Sequence, residues 1–161
     1  MNIIEKLNGK RVLLWGYGRE GKSSERFINE HCNVKELKIF EGKQEELDDE
    51  KWDIVIKSPG VPAEGLSSKY TSQTELFLEE FRDRTIGITG TKGKSTTSSL
   101  LYHVLHDCLS VPVFLVGNIG KPCLDIYDEI TSDSVVVFEL SCHQLRSSSV
   151  SPHIGVFLNL Y

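Results

Sequence analysis

The stretch GITGTKGKSTTS, at residues 87–98, contains the residue types that hold a phosphate group. Its second and third glycines free the backbone, so that successive amide groups can point inward at an anion. Lys94 can reach the β and γ phosphates of a nucleotide, and Ser95 can ligate Mg²⁺. A strict G-x-x-x-x-G-K-[ST] loop would have glycine in place of Ile88, so the literal pattern fails while its chemical core remains.

A strand precedes this loop and a helical pattern follows it, which is the order that phosphate binding requires, because the positive end of the helix then lies under the anion. A surface loop rich in glycine, lysine and serine is the alternative, and it does not explain that order. We therefore predict that residues 90–96 bind ATP. The predicted ATP-binding residues are Gly90, Thr91, Lys92, Gly93, Lys94, Ser95 and Thr96.

Two later segments place polar residues at the ends of further apolar runs. Asn118 stands between two glycines in VGNIGKP, and Glu139 ends the most apolar strand pattern, VVVFEL. If the sheet is parallel, Glu139 lies at the same edge as the loop and is a candidate Mg²⁺ ligand opposite Ser95. The alternative is a strand-end acid that caps a neighbouring group. Lys94 and Glu139 are the predicted catalytic residues, whereas a structural role is favoured for His143.

An earlier glycine cluster, GYGREG, places Gly16, Gly18 and Gly21 in G-x-G-x-x-G spacing between a strand and a helix. This spacing allows backbone amides at the helix start to approach a diphosphate. Glu41 ends the next strand, where a dinucleotide fold places an acid for the ribose hydroxyls. The pattern therefore suits NAD or a nucleotide sugar, since both carry a diphosphate. Close packing of the strand against the helix is the purely structural alternative.

The segment DIVIKSPGVP ends the third strand pattern with a turn at Pro59 and Gly60. Open α/β sheets bind ligands at the carboxyl ends of their strands. The turn is thus a candidate contact for the same ligand, although an ordinary β-turn explains the residues equally well by local chemistry.

Composition restricts the class of protein. The chain has 161 residues, 39% hydrophobic and 25% charged, with no apolar run close to the roughly 20 residues needed to span a bilayer. No secretory signal precedes RVLLWG, and the four cysteines form no C-x-x-C pair, so we expect a cytoplasmic protein with reduced thiols. The net charge of −5 and the scattered basic residues argue against nucleic-acid binding.

Apolar β-branched runs alternate with amphipathic stretches, which indicates an α/β protein with parallel strands and crossover helices. Strands are predicted at 11–16, 37–41, 53–58, 85–89, 113–117, 135–140 and 154–160. Helices are predicted at about 20–31, 75–82, 95–107 and 122–130. The acidic stretch EGKQEELDDEKWD is predicted to be a solvated connection.

The motifs GITGTKGKSTT, GNIGKP and FELSCHQL, preceded by GYGREG and VIKSPGVP, resemble those of the Mur ligase family. The resemblance covers essentially the whole chain, and SPGVP points to the D-glutamate-adding branch. Lys92 occupies a loop position at which asparagine is commoner in the family. A similar lysine occurs in folylpolyglutamate synthases, which share the fold. The resemblance implies a Rossmann-like UDP-sugar-binding domain at 1–82 and the start of a P-loop ATPase-type central domain at 83–161.

This resemblance implies that the protein would be an ATP-dependent amide ligase of peptidoglycan precursor synthesis, and so would act in cell wall biogenesis, cell shape and cell division. Its substrates would be ATP with Mg²⁺, UDP-N-acetylmuramoyl-L-alanine and D-glutamate, joined through an acyl phosphate. The substrate-binding residues implied are Gly18, Arg19, Glu20, Glu41, Gly42, Lys43, Gly60 and Asn118, with Ser95 and Glu139 on the metal. EGK replaces the usual aspartate, hydroxyl and arginine, which leaves the uracil and ribose contacts undefined.

Relatives in the family continue beyond the position of FLNLY with a third domain that binds the amino acid. We therefore expect residues 1–161 by themselves not to complete the ligation. Two alternative hypotheses remain open beside the ligase that adds D-glutamate. One is another Mur-type or folylpolyglutamate-type ligase, and the other is a NAD(P)-binding oxidoreductase domain. A non-catalytic nucleotide-binding module is a further alternative.

Overall fold

The computed structural model describes residues 2–146 and 148–161, and its strands form two parallel sheets. The strands are β1 Arg11–Trp15, β2 Glu36–Phe40, β3 Ile54–Lys57, β4 Tyr70–Thr71, β5 Thr85–Thr89, β6 Val113–Gly117, β7 Val135–Glu139 and β8 Ile154–Phe157. The first sheet has the order β2-β1-β3-β4 and the second the order β6-β7-β5-β8. Every neighbouring pair is parallel, which confirms the predicted α/β class.

Helices connect the strands. The α-helices are α1 Ile3–Leu7, α2 Arg19–His31, α3 Gln73–Phe81, α4 Lys94–Cys108 and α5 Cys142–Leu145. Short 3-10 helices occupy Gln44–Glu46, Asp49–Lys51, Arg82–Arg84 and Cys123–Glu129. Over the described ranges, no helix is both long and apolar enough to cross a membrane.

All seven predicted strands are present, with ends that differ by a few residues, and β4 was not predicted. The predicted α-helix at 122–130 is wrong in type, because Cys123–Glu129 is a 3-10 helix that buries Cys123 and Ile126 on one face. The short helices α1 and α5 were also missed. Each begins with a capping box, formed by Asn2 with Glu5 and by Ser141 with Gln144, and this local signal could have located both.

One apolar core joins the two sheets. Its buried members include Leu14 and Phe77 from the first half of the chain and Val116 and Phe138 from the second. The rings of Phe77 on α3 and Phe138 on β7 meet edge to face with centroids 5.7 Å apart. Strands buried on both faces read as continuous apolar runs, which explains the sequence VVVF in β7. The common core fixes the position of one sheet against the other.

Candidate functional site

The candidate phosphate loop, residues 90–96, connects β5 to α4. Its turn depends on Gly90 and Gly93, which have φ of 145° and 84°, a region that side chains disfavour. Gly93 is the N-cap of α4 and has no side chain to satisfy the first amides of that helix. The first turn of a 15-residue helix therefore offers N–H groups and the positive end of its dipole to an anion.

Asn159 holds the start of this loop and was missed by the sequence analysis. Its backbone oxygen accepts from the Thr91 amide at 3.0 Å, and its side-chain oxygen accepts from the Lys92 amide at 2.9 Å. The Asn159 amide nitrogen donates in turn to the Lys92 carbonyl at 3.0 Å. Asn159 therefore occupies the backbone amides of Thr91 and Lys92, two residues of the predicted ATP-binding set. The polar residue directly after the apolar run of β8 was the only sequence signal.

The Lys94 side chain folds back over the loop. Its Nζ donates to the carbonyl oxygens of Gly90 at 2.7 Å and Thr91 at 3.3 Å. The ammonium is thus held over the loop, and Ser95 and Thr96, in the first turn of α4, are exposed. A phosphate in the loop would offer this lysine stronger, charged acceptors than two neutral carbonyls.

Glu139 ends β7 beside the strand that enters the candidate phosphate loop. In the parallel pairing of β5 with β7 it is the register partner of Ile88. It is fully buried, and its Oε1 accepts from Asn118 Nδ2 at 3.1 Å. The Asn118 amide also donates to the Glu139 carbonyl at 3.1 Å. The structure therefore brings Asn118 and Glu139 together at the carboxyl ends of β6 and β7.

The second carboxylate oxygen of Glu139, Oε2, is buried without a hydrogen-bond partner among the described residues. Such an oxygen costs free energy unless another group neutralises it. Mg²⁺ prefers hard oxygen ligands and takes few of them from the protein. The bare carboxylate oxygen and the exposed Ser95 hydroxyl at the same sheet edge fit that preference, so both residues suit the predicted metal role.

A cavity of about 1060 Å³, called cavity A, lies at the carboxyl ends of β1, β2 and β3. Four predicted substrate-binding residues line it: Glu41, Gly42, Lys43 and Gly60. Trp15 and Gly16 contribute to its wall, and Trp15 Nε1 donates to the Gly42 carbonyl at 3.0 Å. β2 and β3 lie on opposite sides of β1, so the strand order reverses at this crevice. Such a topological switch point is the usual ligand position in open α/β folds.

The three glycines of GYGREG have different roles. Gly16 has φ of 91° and packs against Ser58 and Val61. A β-carbon on Gly21 would overlap the Gly16 carbonyl oxygen, so this glycine permits close packing of α2 on the turn. Gly18 is exposed, with φ of −76° and nothing within 4 Å of a β-carbon. Close packing therefore explains Gly16 and Gly21 but does not explain Gly18.

We expect Gly18→Ala to change the free energy of unfolding by less than about 1 kcal/mol, the usual effect at an N-cap. Gly21→Ala should destabilise the protein by about 1–3 kcal/mol, because the new methyl group forces α2 away from the turn. Urea unfolding followed by circular dichroism measures both. Equal losses in the two variants would contradict this division of roles.

Arg19 and Glu20, predicted to bind substrate, face the second sheet. Arg19 donates to the carbonyl oxygens of Gly117 at 3.1 Å and Gly120 at 2.6 Å, and so holds the loop that carries Asn118. Glu20 Oε1 accepts from Gln144 Nε2 at 2.8 Å, while its Oε2 is buried and unpartnered within the described part of the chain. Burial raises the pKa of Glu20, and the hydrogen bond from Gln144 partly opposes that shift.

A raised folded-state pKa means that the folded protein binds a proton more tightly than the unfolded chain, so the stability linked to Glu20 falls as pH rises. We expect Glu20→Gln, which retains an acceptor for Gln144, to exceed the wild type in stability at pH 8. This advantage should shrink as pH falls to the ordinary glutamate value of 4.5. Thermal unfolding from pH 4 to pH 8 tests it, with exposed Glu50→Gln as the control. An advantage that grows toward low pH would contradict the assignment.

Comparison with known proteins now identifies the family. Residues 88–161 match the Mur ligase middle domain, the segment that contains the candidate phosphate loop and Glu139. The whole chain aligns, at 31% identity, with UDP-N-acetylmuramoylalanine–D-glutamate ligase of Listeria monocytogenes. The chain belongs to the Mur ligase family.

Further relatives support the assignment of the chain to the Mur ligase family. UDP-N-acetylmuramoyl-L-alanine–L-glutamate ligase of Xanthomonas axonopodis pv. citri is 32% identical over 98% of the chain. The D-glutamate ligase of Lacticaseibacillus casei is 29% identical over 100% of it. The chain spans about two fifths of each relative: 42% of the Listeria protein, 41% of the Xanthomonas protein and 42% of the Lacticaseibacillus protein.

Proposed function

We propose that this Mur ligase chain is the part of an ATP-dependent carbon–nitrogen ligase of peptidoglycan synthesis that binds ATP and the UDP-sugar substrate. The observation that carries the proposal is the bare, buried Oε2 of Glu139, beside the strand that enters the candidate phosphate loop. A phosphate loop next to an unneutralised carboxylate suits a nucleoside triphosphate with its metal. The names of the relatives supply the substrate class, UDP-N-acetylmuramoyl-L-alanine.

In the proposed reaction the L-alanyl carboxylate attacks the γ-phosphorus of ATP, and ADP leaves. The amine of glutamate then attacks the acyl carbon, and inorganic phosphate leaves as the amide bond forms. Mg²⁺ held by Ser95 and Glu139 would neutralise charge on the phosphate groups. Lys94 would leave its two carbonyl partners and bind the phosphates. Because two anions approach each other in the first step, positive charge at the loop lowers the barrier.

We assign cavity A to the uridine end of the sugar nucleotide, with Glu41, Gly42, Lys43 and Gly60 as its contacts. Its volume of about 1060 Å³ lies slightly above the usual range of about 300–1,000 Å³ for small-molecule sites. Gly18, at the start of α2, would allow the diphosphate to approach the helix amides. Arg19 and Asn118 connect this region to Glu139 through the loop at 117–120.

D-glutamate is the proposed amino acid, and L-glutamate is the second candidate, because both names occur among relatives of nearly equal identity. We place the reaction in the cytoplasm, in agreement with four free cysteine thiols. We predict that residues 1–161 alone do not complete the ligation. Phosphate release in the presence of all three substrates tests this prediction.

Calorimetric titration of the chain with UDP-N-acetylmuramoyl-L-alanine tests the proposed substrate, with NAD⁺ as the matched control. We expect heat from the sugar nucleotide and none from NAD⁺. Binding should be weaker in Gly18→Ala, whose free energy of unfolding should change by less than about 1 kcal/mol. Heat from NAD⁺ alone would overturn the proposal and support the interpretation of GYGREG as a dinucleotide-binding motif.

A further inference from the structure

Arg19, the first residue of α2, reaches from the first half of the chain to a loop of the second half. Its Nη2 donates to the carbonyl oxygens of Gly117 at 3.1 Å and Gly120 at 2.6 Å, across 98 and 101 positions of sequence. These two bonds use both hydrogens of that nitrogen. The family resemblance implied that Arg19 binds substrate, whereas the partners of its Nη2 belong to the loop at 117–120.

The position of Arg19 is unfavourable for α2 itself. The N-terminus of a helix carries a partial positive charge, so a cation in the first turn is destabilising there. Arg19 is also exposed to solvent, so burial of its side chain does not account for it. Helix stability therefore does not explain this arginine, but its contacts with the loop at 117–120 do.

The loop at 117–120 lies directly against the end of β7. A β-carbon on Gly117 would overlap the Glu139 carbonyl oxygen, and the Asn118 amide donates to that oxygen at 3.1 Å. The Asn118 side chain donates from Nδ2 to Glu139 Oε1, also at 3.1 Å. Because this bond holds one carboxylate oxygen, it also sets the direction of the other, the bare Oε2.

The backbone of this loop depends on glycine at both ends. Gly117 and Gly120 have φ of 107° and 72°, in the region that only glycine adopts without strain. Glycine provides no side chain to pack the loop in place, and its backbone has more conformational freedom than that of other residues. The guanidinium of Arg19 supplies a contact from outside the loop, on the carbonyl groups of both glycines.

We propose that Arg19 is a positioning residue of the metal site, which holds the loop at 117–120 so that Asn118 orients the Glu139 carboxylate toward Mg²⁺. The inference deepens the proposed function and rests on it in one respect, since Mg²⁺ on Glu139 is part of that function. The start of α2 would then serve both halves of the chain. Gly18 admits the sugar nucleotide, and Arg19 orders the metal site.

Titration of the chain with Mg²⁺, followed by the side-chain amide resonance of Asn118, tests the proposal. No nucleotide is present, so a direct contact between Arg19 and phosphate cannot contribute. We expect Arg19→Met to shift the Asn118 resonance before any metal is added and to weaken Mg²⁺ binding about fivefold. This is the usual effect of losing one net hydrogen bond.

The sign of the change in affinity separates positioning from simple electrostatics. Loss of a positive charge near a divalent cation should by itself strengthen metal binding. A weaker affinity in Arg19→Met is therefore opposite to the effect of charge alone. Arg19→Lys retains the charge but not the planar fork, so we expect an affinity between those of the wild type and Arg19→Met.

Arg26→Met is the matched control. Arg26 lies on the same helix and also contacts the second half of the chain, through bonds of 2.8 and 3.0 Å to the two carboxylate oxygens of Asp125. This variant removes the same charge without touching the loop at 117–120, so the Asn118 resonance and the Mg²⁺ affinity should stay as in the wild type. Equal effects of the two variants would overturn the proposal, because they would reflect a general loosening of the two halves.

The same titration separates this inference from the proposed function. If Mg²⁺ leaves the Asn118 resonance of the wild type unchanged but Arg19→Met displaces that resonance, Arg19 still positions Asn118 and the proposed metal role of Glu139 fails. If the wild type binds Mg²⁺ and Arg19→Met binds it as tightly or more tightly, the proposed function stands and the positioning role fails. An undisplaced Asn118 resonance in Arg19→Met also overturns the inference.

Discussion

Replacing Lys94 by alanine is expected to weaken ATP binding about 100-fold. The Lys94 ammonium already stands over the candidate phosphate loop, held by the carbonyls of Gly90 and Thr91. Charge-assisted hydrogen bonds contribute about 1.5–3 kcal/mol each, and every 1.4 kcal/mol is about a tenfold change in affinity. Removing the group that would contact two phosphates therefore costs about 2.7 kcal/mol. Isothermal titration calorimetry with a non-hydrolysable ATP analogue and Mg²⁺ measures the change.

Lys92→Ala is the matched control for this prediction, because it removes the same charge from the same loop. The Lys92 ammonium lies over the Tyr161 ring, 5.7 Å from its centroid, and the Lys92 backbone amide is held by Asn159. We expect less than about a threefold change, as for a surface charge that is screened by solvent. Equal weakening in both variants would mean that the affinity for ATP depends only on the overall charge of the loop. Unchanged binding in Lys94→Ala would exclude the loop as the ATP site.

Replacing Phe138 by alanine is expected to lower the free energy of unfolding by about 3–5 kcal/mol. Phe138 is fully buried and packs edge to face on Phe77, so its ring belongs to the core that joins the sheets. A loss of this size is a large fraction of the roughly 5–15 kcal/mol of a typical domain. Because both sheets share the cavity that remains, they should still unfold in one transition.

Urea unfolding followed by far-ultraviolet circular dichroism and by tryptophan fluorescence tests this prediction. Both tryptophans, Trp15 and Trp52, lie in the first half of the chain, so fluorescence reports on that half. The control is Phe157→Ala on β8, a phenylalanine that is 64% exposed and should cost less than about 1 kcal/mol. Separate transitions for the two probes in the wild type would show that the halves are stable independently, contrary to a common core.

The short-range features of this protein could be predicted from its sequence. Every predicted strand is present. The strands β1, β3 and β7 are nearly continuous buried runs, which burial on both faces of a parallel sheet selects. The loop before α4 was visible because its glycines and Lys94 lie close together in the chain. Even the missed helices α1 and α5 carry capping boxes, which involve residues only three positions apart.

Only the tertiary structure decided the features made by residues distant in sequence. Gln144 reaches Glu20 across 124 positions, and Asn159 holds Lys92 across 67. Arg146 from the second half of the chain and Lys57 from the first line one cavity. Sequence patterns record which side chains are apolar and which turns are possible. They do not record which polar atoms remain unpaired, as Glu139 Oε2 does, since that depends on every neighbour that packing brings within reach.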